Sequence, residues 1–289
     1  MKNHSFKISI INENRDIDYN PSSRQELIPG WSQEIISSSK VLVVGAGALG
    51  NELIKNLVLL GVGYIRVVDF DYVVYSNLAR SILFRRSDAD LKKSKVEAIA
   101  ERVKKIDPYG YVVIDPINTD ITKLDYRSRV FRDIDVIFTA LDNLDARLHV
   151  NNQAYYLRIP LIDGGMDGPI GSVQVVVPPY TSCLACSLTP RDYKAINQRL
   201  KCDGVPIDLM TPKTPAIIST TAVVAGIMTH EFIKLIHGIN LFRKKGIWNK
   251  RIGEPIAGKR LFFNLSTNSY ILYNVPISKS CPNHLELNG

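Results

Sequence analysis

From about residue 40 onward, short runs of uniformly apolar residues alternate with longer runs in which apolar positions recur every three or four residues. The first pattern suits a strand covered on both faces, and the second suits one face of a helix. "KVLVVGA" (40–46) reads as such a strand. "LGNELIKNLVLLGVG" (49–63) follows as a helix with Leu49, Leu53, Leu57 and Leu60 on one face, stopped by Gly61. "YIRVVDFD" (64–71) is the next strand. "KKSKVEAIAERVKKIDP" (92–108) sets Val96, Ile99, Val103 and Ile106 at helical spacing, and Pro108 closes it. Strands are expected at "YVVID" (111–115), "DVIFTAL" (135–141) and "IPLID" (159–163), with a helix at "DARLHVNNQAYYL" (145–157) between the last two.

Such alternation predicts an α/β protein with a doubly wound, mostly parallel, Rossmann-like sheet. After about residue 171 the pattern changes. "SVQVVV" (172–177) reads as a strand, followed by a polar segment, a buried helix over 215–238 and a hairpin "RLFFNLSTNSYILYNV" (260–275), which gives an antiparallel C-terminal portion. Upstream, residues 1–20 read as an asparagine-rich arm. "SSRQELIPGWSQEII" (22–36) reads as a short helix, a Pro-Gly turn and a second helical segment. Residues 21–289 are therefore expected to form a single domain, with 188–214 as a crossover segment and "TPKTP" (211–215) as a hinge placing Pro215 near the first helical position.

Composition changes little in this picture. With 45% apolar and 22% charged residues, the chain is an ordinary globular one. Met1 to Lys40 carries no secretory pattern, and "PAIISTTAVVAGIM" (215–228) is too short and threonine-rich to span a bilayer, so a cytoplasmic protein with no membrane partner is expected. The net charge of +8 is mostly dispersed. "FRKKGIWNKR" (242–251), placed in an expected loop, is weak ground for a nucleic-acid partner, and none is expected. His4, His149, His230 and His237 stand unpaired and read as structural.

The candidate chemistry begins at "VLVVGAGALG" (41–50). Gly45, Gly47 and Gly50 form G-x-G-x-x-G between a strand and a helix, where backbone N–H groups can face phosphate oxygens. Asp69 ends the second strand and can hold ribose hydroxyls. To that point a redox dinucleotide and ATP fit equally. "DFDYVVYSNLARSILF" (69–84) and the nearby Lys95 then supply Asn77, Arg80 and a lysine, which suit charge on the β- and γ-phosphates and have no use in hydride transfer, and Asp71 in the same stretch is a further cofactor-binding candidate. "ALDNLDAR" (140–147) sets Asp142, with Asn143 beside it, at the carboxyl end of a central strand, suited to Mg2+. The set favours ATP.

Those motifs, with "SRQ" (23–25), "LIDGG" (161–165) and the C-x-x-C of Cys183 and Cys186, together resemble the ThiF-type family of ubiquitin-activating enzymes and their bacterial relatives that activate sulfur carriers, from about Arg24 to His284. The resemblance implies a homodimer and adenylation, with ATP and Mg2+, of the C-terminal carboxylate of a ubiquitin-like protein ending in Gly-Gly. By position, Asp69 would bind ribose, Asn77, Arg80 and Lys95 the phosphates, and Asp142 the metal. Arg24 would reach across the dimer into the neighbouring site. Two-residue spacers let a cysteine pair reach one tetrahedral ion. Where relatives carry a second C-x-x-C, this chain has Cys281 and His284, implying a structural Cys3His zinc site that clips the hairpin to the Cys183 segment. Cys202 falls where many relatives carry the thiol that takes the activated carboxylate as a thioester, with a conjugating enzyme as onward partner. The alternatives are a sulfur-carrier activator that stops at the adenylate and passes it to a sulfur donor, and a non-catalytic half of a heterodimer. Departures from the family pattern are Pro21, Ala48 (where a further glycine is common), Ser81 after Arg80, and Lys92 in place of a glycine before Lys95.

Overall fold

Strand β1 (Lys40–Val44) is buried at every residue after Lys40, as its apolar run requires, and it lies in the middle of the parallel strands. The computed structural model describes residues 20–188 and 215–284. Within them β2 (Tyr64–Val68), β3 (Val113–Ile117), β4 (Val136–Thr139), β5 (Leu161–Asp167), β6 (Ile170–Val176), β7 (Lys259–Asn264) and β8 (Ser269–Asn274) join β1 in one sheet of order β3-β2-β1-β4-β5-β6-β7-β8. The first five strands in that order are parallel, and the β5–β6, β6–β7 and β7–β8 pairs are antiparallel. The expected α/β class, mostly parallel with an antiparallel C-terminal portion, is the one observed.

Strand β2 ends at Val68, three residues before the expected end at Asp71, β4 is shorter than the expected 135–141, and two further strands differ from the expected limits for local reasons. Asp107 accepts hydrogen bonds from the N–H groups of Tyr109 (2.8 Å) and Val112 (3.0 Å), which holds 107–112 in a loop and starts β3 two residues later than the apolar run does. Strand β5 runs four residues beyond the expected end at Asp163, because β6 pairs back onto it as far as Asp167↔Ile170 around a turn with Gly168 at φ +54°.

The helices are α1 (Gln33–Ser38), α2 (Ala48–Leu60), α3 (Arg86–Asp90), α4 (Lys95–Ile106), α5 (Leu144–Tyr156) and α6 (Ile218–Lys245). Gly61 stops α2 in the left-handed region, φ +87°, as expected of a glycine just past a helix end. The short α3 has too little periodicity to be read from sequence. On one face of the sheet Leu49, Leu53 and Leu57 of α2 pack with Val224, Met228, Phe232 and Leu235 of α6. On the other, Leu42, Val44, Ile137 and Leu161 meet Ala146, Val150, Ala154 and Tyr155 of α5. Each fully buried large aliphatic side chain contributes about 1.5–3 kcal/mol of hydrophobic stabilisation.

Helix α6 corrects three expectations. It begins at Ile218, so Pro215 precedes the helix instead of opening it. It continues to Lys245, and at 28 residues it is the one helix among the described residues long and apolar enough to cross a bilayer. Its apolar side is accounted for by packing, since Thr220, Val224, Met228, Phe232 and Leu235 are all buried in the core. Third, the basic cluster is not wholly a loop. Arg243, Lys244 and Lys245 form the last turn of α6, where cations complement the helix dipole. Its aromatics turn inward: Phe242 stacks on Trp248 at 4.3 Å and meets Tyr180 edge-on. They are therefore not available to stack on nucleic-acid bases.

Candidate functional site

Strand order reverses between β1 and β4, so the crevice outside their carboxyl ends is where such a sheet binds ligands. The three glycines of 45–50 line it for different reasons. Gly45 has φ +98°, and a Cβ there would lie 2.5 Å from the Ala140 carbonyl oxygen. A Cβ on Gly50 would lie 1.8 Å from the Gly45 carbonyl oxygen. Both serve the chain's own close packing. Gly47, the residue capping α2, has no protein atom within 4 Å of the Cβ position. The space beside this N-cap is open to an external group.

Asp69, just past β2, accepts from the Ala46 N–H at 2.6 Å and the Asp71 N–H at 2.8 Å, and Lys95 Nζ stands 4.0 Å away. Burial pushes the Asp69 carboxyl up from its ordinary range, opposed by the Lys95 charge and the two N–H donors. Each of its oxygens keeps a lone pair for a further donor, such as a hydroxyl. Lys95 opens α4. Its N–H donates to the Asp71 carbonyl at 3.0 Å and its Nζ to Asp71 Oδ2 at 2.7 Å. Asn77 is buried, and its Oδ1 accepts the Val74 N–H at 3.1 Å, fixing the turn that leads to Arg80. The half-buried Arg80 donates from its guanidinium to the Ser76 carbonyl at 2.6 Å. Asn51 ties the next segment to α2 by accepting the Leu83 N–H at 2.8 Å.

Asp142 is exposed in the turn after β4, and Asn143 caps α5 by accepting the Asp145 N–H at 2.8 Å. Mg2+ needs one or two protein carboxylates and takes its other ligands from water and phosphate. A solvent-reaching Asp142 at this edge fits that requirement. Arg24 is exposed at the start of a short turn, Gln25–Leu27. The structure thus gathers the glycine turn, Asp69, Asp71 and Lys95 into one bonded cluster, with Asn77, Arg80 and Asp142 on adjoining segments. Cys202 lies outside the described residues.

One pair was missed. Asp163 at the carboxyl end of β5 is fully buried, and accepts from Arg147 Nε at 2.8 Å, from a second Arg147 nitrogen and from Thr139 Oγ1 at 2.6 Å. Burial pushes its carboxyl up, but the Arg147 charge and these bonds outweigh it, so Asp163 sits below the usual carboxylate range. Both residues belong to motifs quoted above, "ALDNLDAR" and "LIDGG". Their contact depends on α5 lying over β5, which no local pattern reveals.

On the same side of the sheet, Cys183, Cys186, Cys281 and His284 bring their ligand atoms within 4.8 Å of one another. Cys183 Sγ lies 3.5 Å from Cys281 Sγ and 3.9 Å from Cys186 Sγ. Tetrahedral zinc with thiolates at about 2.3 Å sets sulfurs about 3.8 Å apart. His284 Nε2 is buried and has no hydrogen-bond partner. A metal would satisfy it, so these residues fit the ion. Of the histidines read as structural, His237 is held at both ring nitrogens, by the Ser32 N–H (3.1 Å) and the Ile233 carbonyl (2.8 Å), and His149 by the Leu124 carbonyl (2.7 Å).

Residues 19–283 match the ThiF family. The chain belongs to the ThiF family. Among curated relatives, the SUMO-activating enzyme subunit 2 of Dictyostelium discoideum is 38% identical over 151 residues, 52% of this chain and 22% of that one. The ubiquitin-activating enzyme E1-like protein of Saccharomyces cerevisiae is 38% identical over 167 residues, 56% of this chain and 25% of the relative. This chain thus spans about a quarter of their length. Among solved structures, Escherichia coli MccB with AMPCPP and MccA superposes with a TM-score of 0.72 over 91% of this chain and 74% of that one, at 22% identity. PaaA gives 0.68 over 88% and 82%, also at 22% identity. These two are likenesses of fold. Within the ThiF frame one departure becomes intelligible. Lys92 has φ +46°, a left-handed position that glycine takes without strain and lysine does not.

Proposed function

We propose that this ThiF-family chain activates the C-terminal carboxylate of a ubiquitin-like protein as an acyl-adenylate. A carboxylate oxygen attacks the α-phosphorus of ATP, the bond from that phosphorus to the bridging oxygen breaks, and pyrophosphate leaves. In this reading the N–H groups around Gly47 hold phosphate oxygens and Asp69 the ribose. Lys95, Arg80 and Asn77 take up charge on the departing pyrophosphate. Asp142 holds Mg2+, which would spread that charge further. The observation that supports it best is the Asp69–Lys95–Asp71 cluster beside a glycine that protein packing does not require. A nicotinamide site has no work for that lysine, and a non-catalytic half has no reason to retain the set.

Transfer to Cys202 follows: the thiolate attacks the acyl carbon and AMP leaves. In a homodimer, Arg24 would serve the neighbouring site, and the Cys3His cluster would hold zinc in a structural role. A cytoplasmic setting supplies the nucleotide, and a conjugating enzyme or a sulfur donor would receive the product.

ATP–pyrophosphate exchange with small proteins ending in Gly-Gly tests this. Exchange is expected with the cognate protein, and Arg80→Ala should lower it about 100-fold. Cys202→Ala should keep exchange and lose the thiol-sensitive adduct on a non-reducing gel. An adduct that survives Cys202→Ala would overturn Cys202 as the acceptor, and exchange with no thiol-sensitive adduct in the unmutated chain would leave the sulfur-carrier reading, which ends at the adenylate. No exchange with any such protein would refute adenylation of this substrate class.

A further inference from the structure

We propose that Tyr155 is a positioning residue that fixes the His284 ring so that its Nε2 can serve as the fourth metal ligand. The inference rests on the metal reading above. It concerns the consequence of placing an imidazole where relatives carry a thiolate. A thiolate sulfur offers lone pairs over a wide range of directions. A neutral imidazole offers one, in the plane of the ring, and only from the nitrogen that carries no hydrogen. A histidine at this position therefore needs something to choose its tautomer and hold its plane.

Tyr155, in the last turn of α5, does both. Its hydroxyl has one hydrogen, which it donates to the Pro179 carbonyl at 3.2 Å. The hydroxyl oxygen lies 2.9 Å from His284 Nδ1. With that hydrogen assigned to Pro179, the oxygen accepts at His284, which places the ring hydrogen on Nδ1 in this proposal. Nε2 is left with its lone pair, and Nε2 is the buried nitrogen without a partner. The two rings also pack at 4.7 Å with a 57° tilt, which restrains rotation about the Nδ1 bond. The arrangement is that of an outer-shell group orienting a ligating histidine.

The same face of α5 reaches the thiolate side. Asn152, three residues before Tyr155, accepts from Asn283 Nδ2 at 2.9 Å, and that amide also donates to Cys183 Sγ at 3.4 Å. The neighbouring Asn151 accepts the Leu184 N–H at 3.0 Å, which pins the backbone beside Cys183. Helix α5 is thus the floor on which both ligand pairs are set.

The test is a double-mutant cycle on the full chain, read by zinc affinity against a chromophoric chelator and by the visible absorption of the Co2+-loaded protein. Tyr155→Phe should weaken zinc binding 10- to 100-fold, the usual cost of losing an outer-shell partner, and should shift the Co2+ bands. In the His284→Cys background, where no ring needs orienting, Tyr155→Phe should change affinity less than twofold. Equal losses in both backgrounds would mean that Tyr155 only packs the site, and unchanged affinity and bands in the His284 chain would also overturn the proposal. If the unmutated chain takes up neither ion, the metal reading itself fails, and this inference with it.

Discussion

Three glycines within six residues do different physical work, and substitution should separate them. Gly47→Ala adds a methyl that meets no protein atom, at a φ of −69° that alanine accepts. It should melt within about 2 °C of the parent, yet raise the KM for ATP at least tenfold if phosphate packs against that backbone. Gly50→Ala drives a methyl into the Gly45 carbonyl oxygen and should lower the melting temperature by several degrees. Thermal melts with and without ATP read both outcomes, and a Gly47→Ala chain with unaltered nucleotide affinity would remove the main support for a phosphate site. The sequence announced all three glycines through their place between a strand and a helix. It could not say which one is left open, because that depends on Ala140, just past β4, closing over Gly45.

Among the elements, α5 and β5 meet through a buried ion pair whose loss should be costly. Arg147→Met leaves the Asp163 carboxylate without its cation, and should destabilise the fold by about 3–5 kcal/mol in urea titration at pH 7. Adding Asp163→Leu should recover part of that loss, since two apolar groups need no partner while the buried Thr139 hydroxyl loses its acceptor. The sign with pH follows from the depressed Asp163 pKa. Its contribution is in place above the ordinary carboxylate pKa and is lost as pH falls through the lowered one. The double variant should therefore lose less stability than the parent on acidification below about pH 4. Elements were legible where one local signal dominated: β1, β2, β4 and α2 follow directly from apolar runs and glycine stops. They were misjudged where a side chain or a neighbour intervened. Asp107 delayed β3, pairing with β6 prolonged β5, and packing carried α6 past its apolar stretch into the lysines at 244 and 245.

At the scale of the whole molecule, one sheet runs from the crevice at the carboxyl ends of β1 and β4 to the hairpin of β7 and β8, and the Cys3His cluster, which could hold a metal, follows the antiparallel strand β6. Stripping the metal with a chelator should lower the melting temperature first, with intrinsic ATP–pyrophosphate exchange retained while the fold persists. Equal melting before and after chelation would count against a structural ion. The Cys183–Cys186 spacing marked this centre in advance, whereas Tyr155 stands 129 residues from His284 and only the folded chain discloses their partnership. Helix α5 begins just past Asp142 and ends on Tyr155 and Tyr156, about 20 Å further along at 1.5 Å per residue. It is a rod of set length and phase between the crevice beside Asp142 and the Cys3His cluster. Surface loops can gain or shed residues without disturbing either end, but this rod can change only by whole turns, because a single residue more or less would rotate one end by about 100° relative to the other.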